Sequence, residues 1–343
     1  MKTNTFSFIS IFSFLQLYVC IGFSQINTHT QALFQKKDVL HVTIETNMRA
    51  LLKDRGKTSI YHWCKLTYTD EEGHAIILPV KVKTRGNFRR DASNCSLPPL
   101  SINFPNKKTK NTLFEGQEKL KFVNKCKDYE HLLYEYLAYE IYNLVTDYSF
   151  KARLVEVTYL DSLNRRKPET TYGFFIENDN QLAQRHEAKI LSRQNIAMAN
   201  LDSLETATFV MFQYMIGNND WSLPYLHNMI LLFNANKRII PVAYDFDFAG
   251  IAETNYATPP KELEIVSVRE RLYRGLNYSP EVFQKVFDRF KGVKPQIYAL
   301  YEGNPLLSAG YIKRTKHYFD MFYETINDPK AIKKYFVAGK TRN

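Results

Sequence analysis

The chain has 343 residues, of which 45% are hydrophobic and 14% aromatic, and its formal net charge is +11. That is ample material for one two-lobed domain or two small ones, and the apolar content excludes an intrinsically disordered chain. The positive excess favours anionic partners such as nucleotides, acidic protein segments, polyanionic glycans or a membrane surface, with a plain solvated basic surface as the alternative. Residues 1–24 read as a secretory signal peptide: Lys2 supplies the charge, Phe6 to Phe23 is almost wholly apolar, and Gly22-Phe23-Ser24 offers small residues before Gln25. An uncleaved anchor is the competing reading, because the run approaches the ~18 residues that span a bilayer. No second run of that length follows. The mature chain is therefore expected to be exported, free of a transmembrane segment, and at about +10 once Lys2 is lost.

Strand signals come next. Val39 to Thr46, Ile60 to Thr69 and Ala75 to Thr84 are rich in β-branched and aromatic residues, with Asp70-Glu71-Glu72-Gly73 as the turn between the last two. A short strand follows Pro98-Pro99, from Leu100 to Phe104, and Lys119 to Val123 is another, with Lys119 and Lys121 on one face. The stretch Tyr129 to Val145 reads as a helix with Leu133, Leu137, Ile141 and Leu144 in one stripe. Glu140 falls inside that stripe, where a carboxylate is costly unless paired. Lys151 to Leu160 and Thr171 to Glu177 are two more strands, and the polar run from Asn178 leads into a helical half. There Leu204, Thr208, Met211 and Met215 keep helix spacing behind Asp202 as N-cap. The helix ends before Asp220, and a hairpin follows: Asn228 to Phe233, the turn Asn234 to Lys237, then Arg238 to Tyr244, which delivers Asp245 at its end. This order gives an α+β chain, with a β-rich N-lobe over 25–177 and a helical C-lobe over 178–343.

Beyond Cys20, three cysteines remain. In an oxidising compartment two are expected to pair. Cys95 and Cys126 are the expected pair, since both lie in loops flanking the strand-rich stretch, while Cys64, in the alternating run Tyr61 to Tyr68, is expected to be a buried thiol. No Cys/His cluster has zinc spacing, and no helix-turn-helix, zinc-knuckle or ribonucleoprotein signature occurs, so nucleic acid is not an expected partner. Nor is there a Gly-x-Ser-x-Gly elbow or a His-Glu-x-x-His run.

Three segments carry chemistry: Thr84-Arg85-Gly86-Asn87, then Asp220-Trp221 with His227-Asn228, then Asp245-Phe246-Asp247. In this order they resemble the CotH-like (spore coat protein H) atypical protein kinases, and more distantly the HipA-like kinases, over roughly residues 80 to 250. The resemblance implies a two-lobed kinase-like fold whose β-rich N-lobe has one main helix and whose C-lobe is mostly helical. It also implies ATP and Mg²⁺, or Mn²⁺, in the cleft, and transfer of the γ-phosphate to a protein hydroxyl; the basic charge of the chain leans towards an acidic protein segment as the partner. Phosphoryl transfer needs a carboxylate to take the hydroxyl proton and oxygen ligands for the metal. Asp220 would be that base, with Asp245, Asn228 and Asp247 on the metal. Lys121 with Glu140 would be the phosphate-contacting pair, with Glu135 and Lys119 as alternatives. Arg85 and Gly86 would form a phosphate loop, against the alternative of an ordinary basic turn, and Glu177 would mark the hinge beside the adenine. One spacing departs from protein kinases, which place the asparagine five residues after the base; here Asp220 to Asn228 is eight. A non-catalytic surface module retaining the fold is the rival reading, and no residue fixes an oligomeric state.

Overall fold

The structure, a computed structural model, describes residues 32–337; the signal peptide expected over residues 1–24 lies outside them. A short helix α1 (Ala32–Gln35) precedes strand β1 (Leu40–Thr46), and α2 (Met48–Lys53) follows it. Strands β2 (His62–Thr69), β3 (Ala75–Thr84), β4 (Leu100–Asn103) and β5 (Lys119–Asn124) come next, then α3 (Tyr129–Val145), β6 (Ala152–Asp161) and β7 (Glu169–Ile176). These seven strands close into one barrel in the order β1-β2-β3-β4-β5-β7-β6. Every pairing is antiparallel except the closure, where β1 runs parallel to β6 with Leu40 beside Val155 and Thr46 beside Asp161. Alternation drives this: β1 buries Leu40, Val42 and Ile44 on one face, and β3 buries Leu78, Val80 and Val82. Together with Leu66, Ile102, Leu120, Phe122, Val155 and Phe175 they fill the barrel interior.

The second half opens with α4 (Asp179–Arg185) and β8 (Ala188–Leu191), then α5 (Ser203–Ile216), β9 (Met229–Asn234) and β10 (Ile239–Ala243). The three strands make a separate sheet, β10-β9-β8. Helices α6 (Pro280–Gly292), α7 (Lys294–Ala299), α8 (Ala309–Asn327) and α9 (Pro329–Ile332) complete it. Asp202 caps α5 as expected, its carboxylate accepting from Glu205 N at 2.9 Å. The joint between the halves is α3, which packs on β6 and β7 and also on α5 and α7. Buried on nearly all sides, it carries Glu135 and Glu140 inside along with its apolar residues.

The expected fold needs correction. A closed mixed barrel with a separate three-stranded sheet and helices replaces the α+β, two-lobed kinase-like arrangement with one main helix in a β-rich N-lobe. The physical cause is the pairing of β1 with β6, which leaves the first sheet without a free edge. The disulfide expectation holds: Cys95 and Cys126 are bonded, Cα to Cα 4.5 Å, and Cys64 is a buried free thiol. Among the described residues no helix is long and apolar enough to cross a membrane.

Candidate functional site

The site is built where α5 stops. Gly217 sits at φ +67°, and a Cβ there would stand 2.3 Å from Tyr318 Oη, so the position admits only glycine. The chain then reverses. Asn218 donates its side-chain amide to Gln213 Oε1 at 2.9 Å and accepts from Asp220 N at 3.1 Å. Arg274 fastens the loop from outside, donating to the carbonyls of Asn219 (3.0 Å) and Trp221 (2.8 Å) while its guanidinium lies 4.3 Å from the Trp221 ring centroid.

The eight-residue spacing has a structural explanation. Ser222 and His227 exchange two backbone hydrogen bonds, of 3.1 and 2.9 Å, so the extra residues fold into a small loop of their own. Asn228 is thereby returned to Asp220, donating its side-chain amide to Asp220 O at 2.8 Å and to Asp220 Oδ2 at 2.9 Å. His227 Nε2 stands 3.0 Å from Asp220 Oδ1. Both carboxylate oxygens are thus held, and each keeps a lone pair for a further donor.

Strands β9 and β10 then bring Asp245 alongside. Tyr244 N donates to Asn228 O at 3.1 Å, and Asp245, at φ +64°, donates its own N–H to Tyr139 Oη of α3 at 2.9 Å. The Asp245 carboxylate accepts no hydrogen bond from the described residues. Burial, with the charges of Asp247 and Asp220 adding to it, pushes its pKa up to about 6. A carboxylate so placed favours a cation beside it. Asn228 Oδ1 is also unengaged, because only its amide nitrogen is used. One free carboxylate and one amide oxygen, beside a second carboxylate, are donors of the kind Mg²⁺ takes, an ion that binds through one or two carboxylates and retains water. Among the described residues there is no group of three or more His, Cys, Asp or Glu side chains arranged for a metal.

Other expected residues divide. Lys121 lies against the residue before Asp245 in the chain: its Nζ is 5.2 Å from the Tyr244 ring centroid and 2.6 Å from Asp179 Oδ1. Arg85 is close enough for its charge to lower the pKa of Asp245. Gly86 forms an exposed turn at φ +84°. Lys121 and Glu140 do not meet: Glu140 points to the other side of α3 and pairs with Lys37 Nζ at 2.6 Å. The Glu177 carboxylate is turned inward, taken by Arg185 at 2.9 and 3.1 Å and by Lys151 N at 3.1 Å.

Asp247 is also engaged, and its partner was missed. Arg89 is buried, donating through Nε to Asp247 Oδ2 at 2.9 Å and through Nη2 to Glu135 Oε2 at 2.6 Å, while Tyr256 Oη donates to Asp247 Oδ2 at 3.0 Å. With both Arg89 and Tyr256 on it, Asp247 anchors the segment that carries Asp245. Glu135, pushed up to about 8 by burial despite the pull of Arg89, with Asp247 and Asp245 adding, completes this bridge from α3. The sequence offered a signal, since Arg89 lies two residues beyond the Arg85-Gly86-Asn87 segment and Glu135 belongs to α3. What it lacked was any pairing rule linking an arginine in a loop to a residue 158 positions later. Arg271 went unremarked as well; it donates to the carbonyls of Tyr214, Met215 and Tyr318 and so seals the end of α5. The sequence matches no protein-family model, and no curated protein matches it significantly.

Proposed function

We propose that this chain is an exported phosphotransferase that moves the γ-phosphate of ATP to a protein hydroxyl, related to the CotH-like kinases by its three short motifs. The observation that carries the reading is the Asp220–Asn228 pair, hydrogen-bonded at 2.9 Å, with the unpartnered Asp245 carboxylate beside it. ATP carrying Mg²⁺ would supply the transferable phosphoryl group and the charge that neutralises it. Asp245 and Asn228 Oδ1 would hold the metal. Lys121 and Arg85 would place positive charge toward the phosphates. Asp220 would accept the hydroxyl proton on the lone pairs that His227 and Asn228 leave open, and those two side chains would keep its carboxylate oriented. This chemistry needs no kinase fold, because it asks only that a base and metal-binding oxygens converge. Export is supported by the Cys95–Cys126 bridge, since disulfides persist in oxidising compartments.

Calorimetry with ATP and Mg²⁺, beside a phosphate-transfer assay, tests the roles. Asp245→Ala is expected to abolish Mg²⁺-dependent nucleotide binding. Asp220→Ala is expected to spare binding and remove transfer, because a base contributes mainly in the transition state. Nucleotide binding that survives in Asp245→Ala would refute the metal role, and no binding in the wild type would leave a non-catalytic binding module.

A further inference from the structure

Two cavities share Val268 in their linings. The first, about 10 Å³, is lined by Gly217, Asp220, Phe248, Thr258 and Val268. It is about the size of a single water or hydroxyl group. The second is an open pocket of about 440 Å³ lined by Gly250, Glu253, Val268, Arg269, Arg314 and His317. The wall between them is thin. Gly250 N donates to Gly217 O at 3.0 Å, and a Cβ on Gly250 would stand 2.9 Å from Val268 O, so only glycine lets the Val268–Arg269 segment lie this close.

The larger pocket is cationic and its donors are held ready. Glu253 pairs with Arg269 at 2.8 Å and with Arg314 at 2.9 Å, which fixes both guanidiniums. Arg269 is further positioned by Gly250 O at 3.1 Å and by the Tyr318 ring, whose centroid is 4.8 Å away. Among the described residues, Nε and Nη2 of Arg269 and Nη1 of Arg314 have no hydrogen-bond partner. The two arginines outweigh the one glutamate, and His317 adds charge when protonated. A guanidinium with free N–H groups in a pocket of this size binds carboxylate or phosphate.

We infer that this pocket seats an acidic side chain of the acceptor protein while the acceptor's hydroxyl lies in the small cavity at Asp220, an assignment that rests on the proposed phosphotransfer. Val268 lines both cavities, so a few residues of extended peptide, at about 3.3 Å each, would run from one to the other. The separation also has an electrostatic reason. Asp220 and the unpartnered Asp245 carboxylate lie at the reacting end, so an acidic residue next to the hydroxyl is repelled, and one in the larger pocket meets the arginines.

Three labelled peptides test this, each with one serine: one with two aspartates three residues before it, one with them three residues after it, and one with asparagines instead. Binding is measured by fluorescence anisotropy without nucleotide, and transfer is measured separately with Mg²⁺ and ATP. One aspartate peptide is expected to bind at least tenfold tighter than the asparagine peptide, and to lose that margin in the Arg314→Ala/His317→Ala variant. In transfer, the double variant should raise KM for that peptide about tenfold with kcat unchanged. Arg314→Glu, an exposed charge reversal, should do the same in a protein that unfolds like the wild type. Equal binding of all three peptides, or a preference untouched by the substitutions, overturns the assignment. Peptide binding of the expected pattern without any transfer would instead sustain the docking pocket and refute the phosphotransfer reading.

Discussion

Replacing Arg89 with methionine tests the buried bridge that holds the Asp245 segment to α3. Arg89 is 8% exposed and satisfies two carboxylates at once, Asp247 at 2.9 Å and Glu135 at 2.6 Å. Methionine keeps most of the volume and removes the charge, so the effect is that of breaking a buried ion pair and leaving its partners behind, about 3–5 kcal/mol. The lower end applies, because Glu135 already sits up to about 8 and can take a proton once the guanidinium is gone. A loss of about 3 kcal/mol lowers the melting temperature by roughly 5 °C in a chain of this size. The sign with pH follows from the raised pKa. In the variant Glu135 loses the guanidinium that pulls its pKa down, so it titrates in the folded state above its unfolded value, and the stability gained by its protonation is fully present below about pH 4 and is lost as pH rises. The gap between wild type and variant should therefore be small at pH 5 and largest at pH 8. Urea unfolding at both values, followed by tryptophan fluorescence, measures it. Adding Glu135→Gln to Arg89→Met should recover part of the loss at pH 8. A variant as stable as the wild type at pH 8, or a deficit that does not change with pH, would refute the bridge.

Serine at Cys95 and Cys126 should cost about 3–4 kcal/mol, the chain-entropy value for a bridge closing 31 residues, read as a lower urea midpoint that matches the reduced wild type. Burial pushes the Cys64 thiol up to about 12, so folded protein lacking residues 1–24, and with them Cys20, should give no reaction with an aromatic disulfide reagent at pH 8 and one equivalent when unfolded without reductant. Gly217→Ala meets both a left-handed backbone and Tyr318 Oη, and should destabilise by about 1–3 kcal/mol in thermal unfolding.

Local chemistry was legible in the sequence, and distant pairing was not. The alternation of Leu78, Val80 and Val82 and the turn at Asp70-Glu71-Glu72-Gly73 place β2 and β3 nearly to the residue. Period and capping do the same for α3 and α5. The hairpin carrying Asp245 was readable because its turn and both strands are contiguous. Barrel closure was not, since β1 has the same alternating pattern whether its second edge is open or paired with β6. The short elements α2 and β8 are too brief to show a period. The helix stripe led to Glu140 as the functional acid, yet α3 is buried all round, so position on a stripe could not separate Glu140, which faces Lys37, from Glu135, which faces Arg89.

The parallel seam between β1 and β6 also sets an order of assembly. Leu40 waits for Val155, so during synthesis the first strand must remain unpaired on one side until more than a hundred further residues have emerged. Contacts of that sequence separation are late and slow to form, and until then the chain presents an unprotected edge of alternating apolar residues. A product truncated before Ala152 keeps that edge permanently, which makes it a template for sticking to other copies. Under the proposed export this delay would be useful, because a polypeptide that cannot close its barrel early stays threadable until nearly half of it has been made.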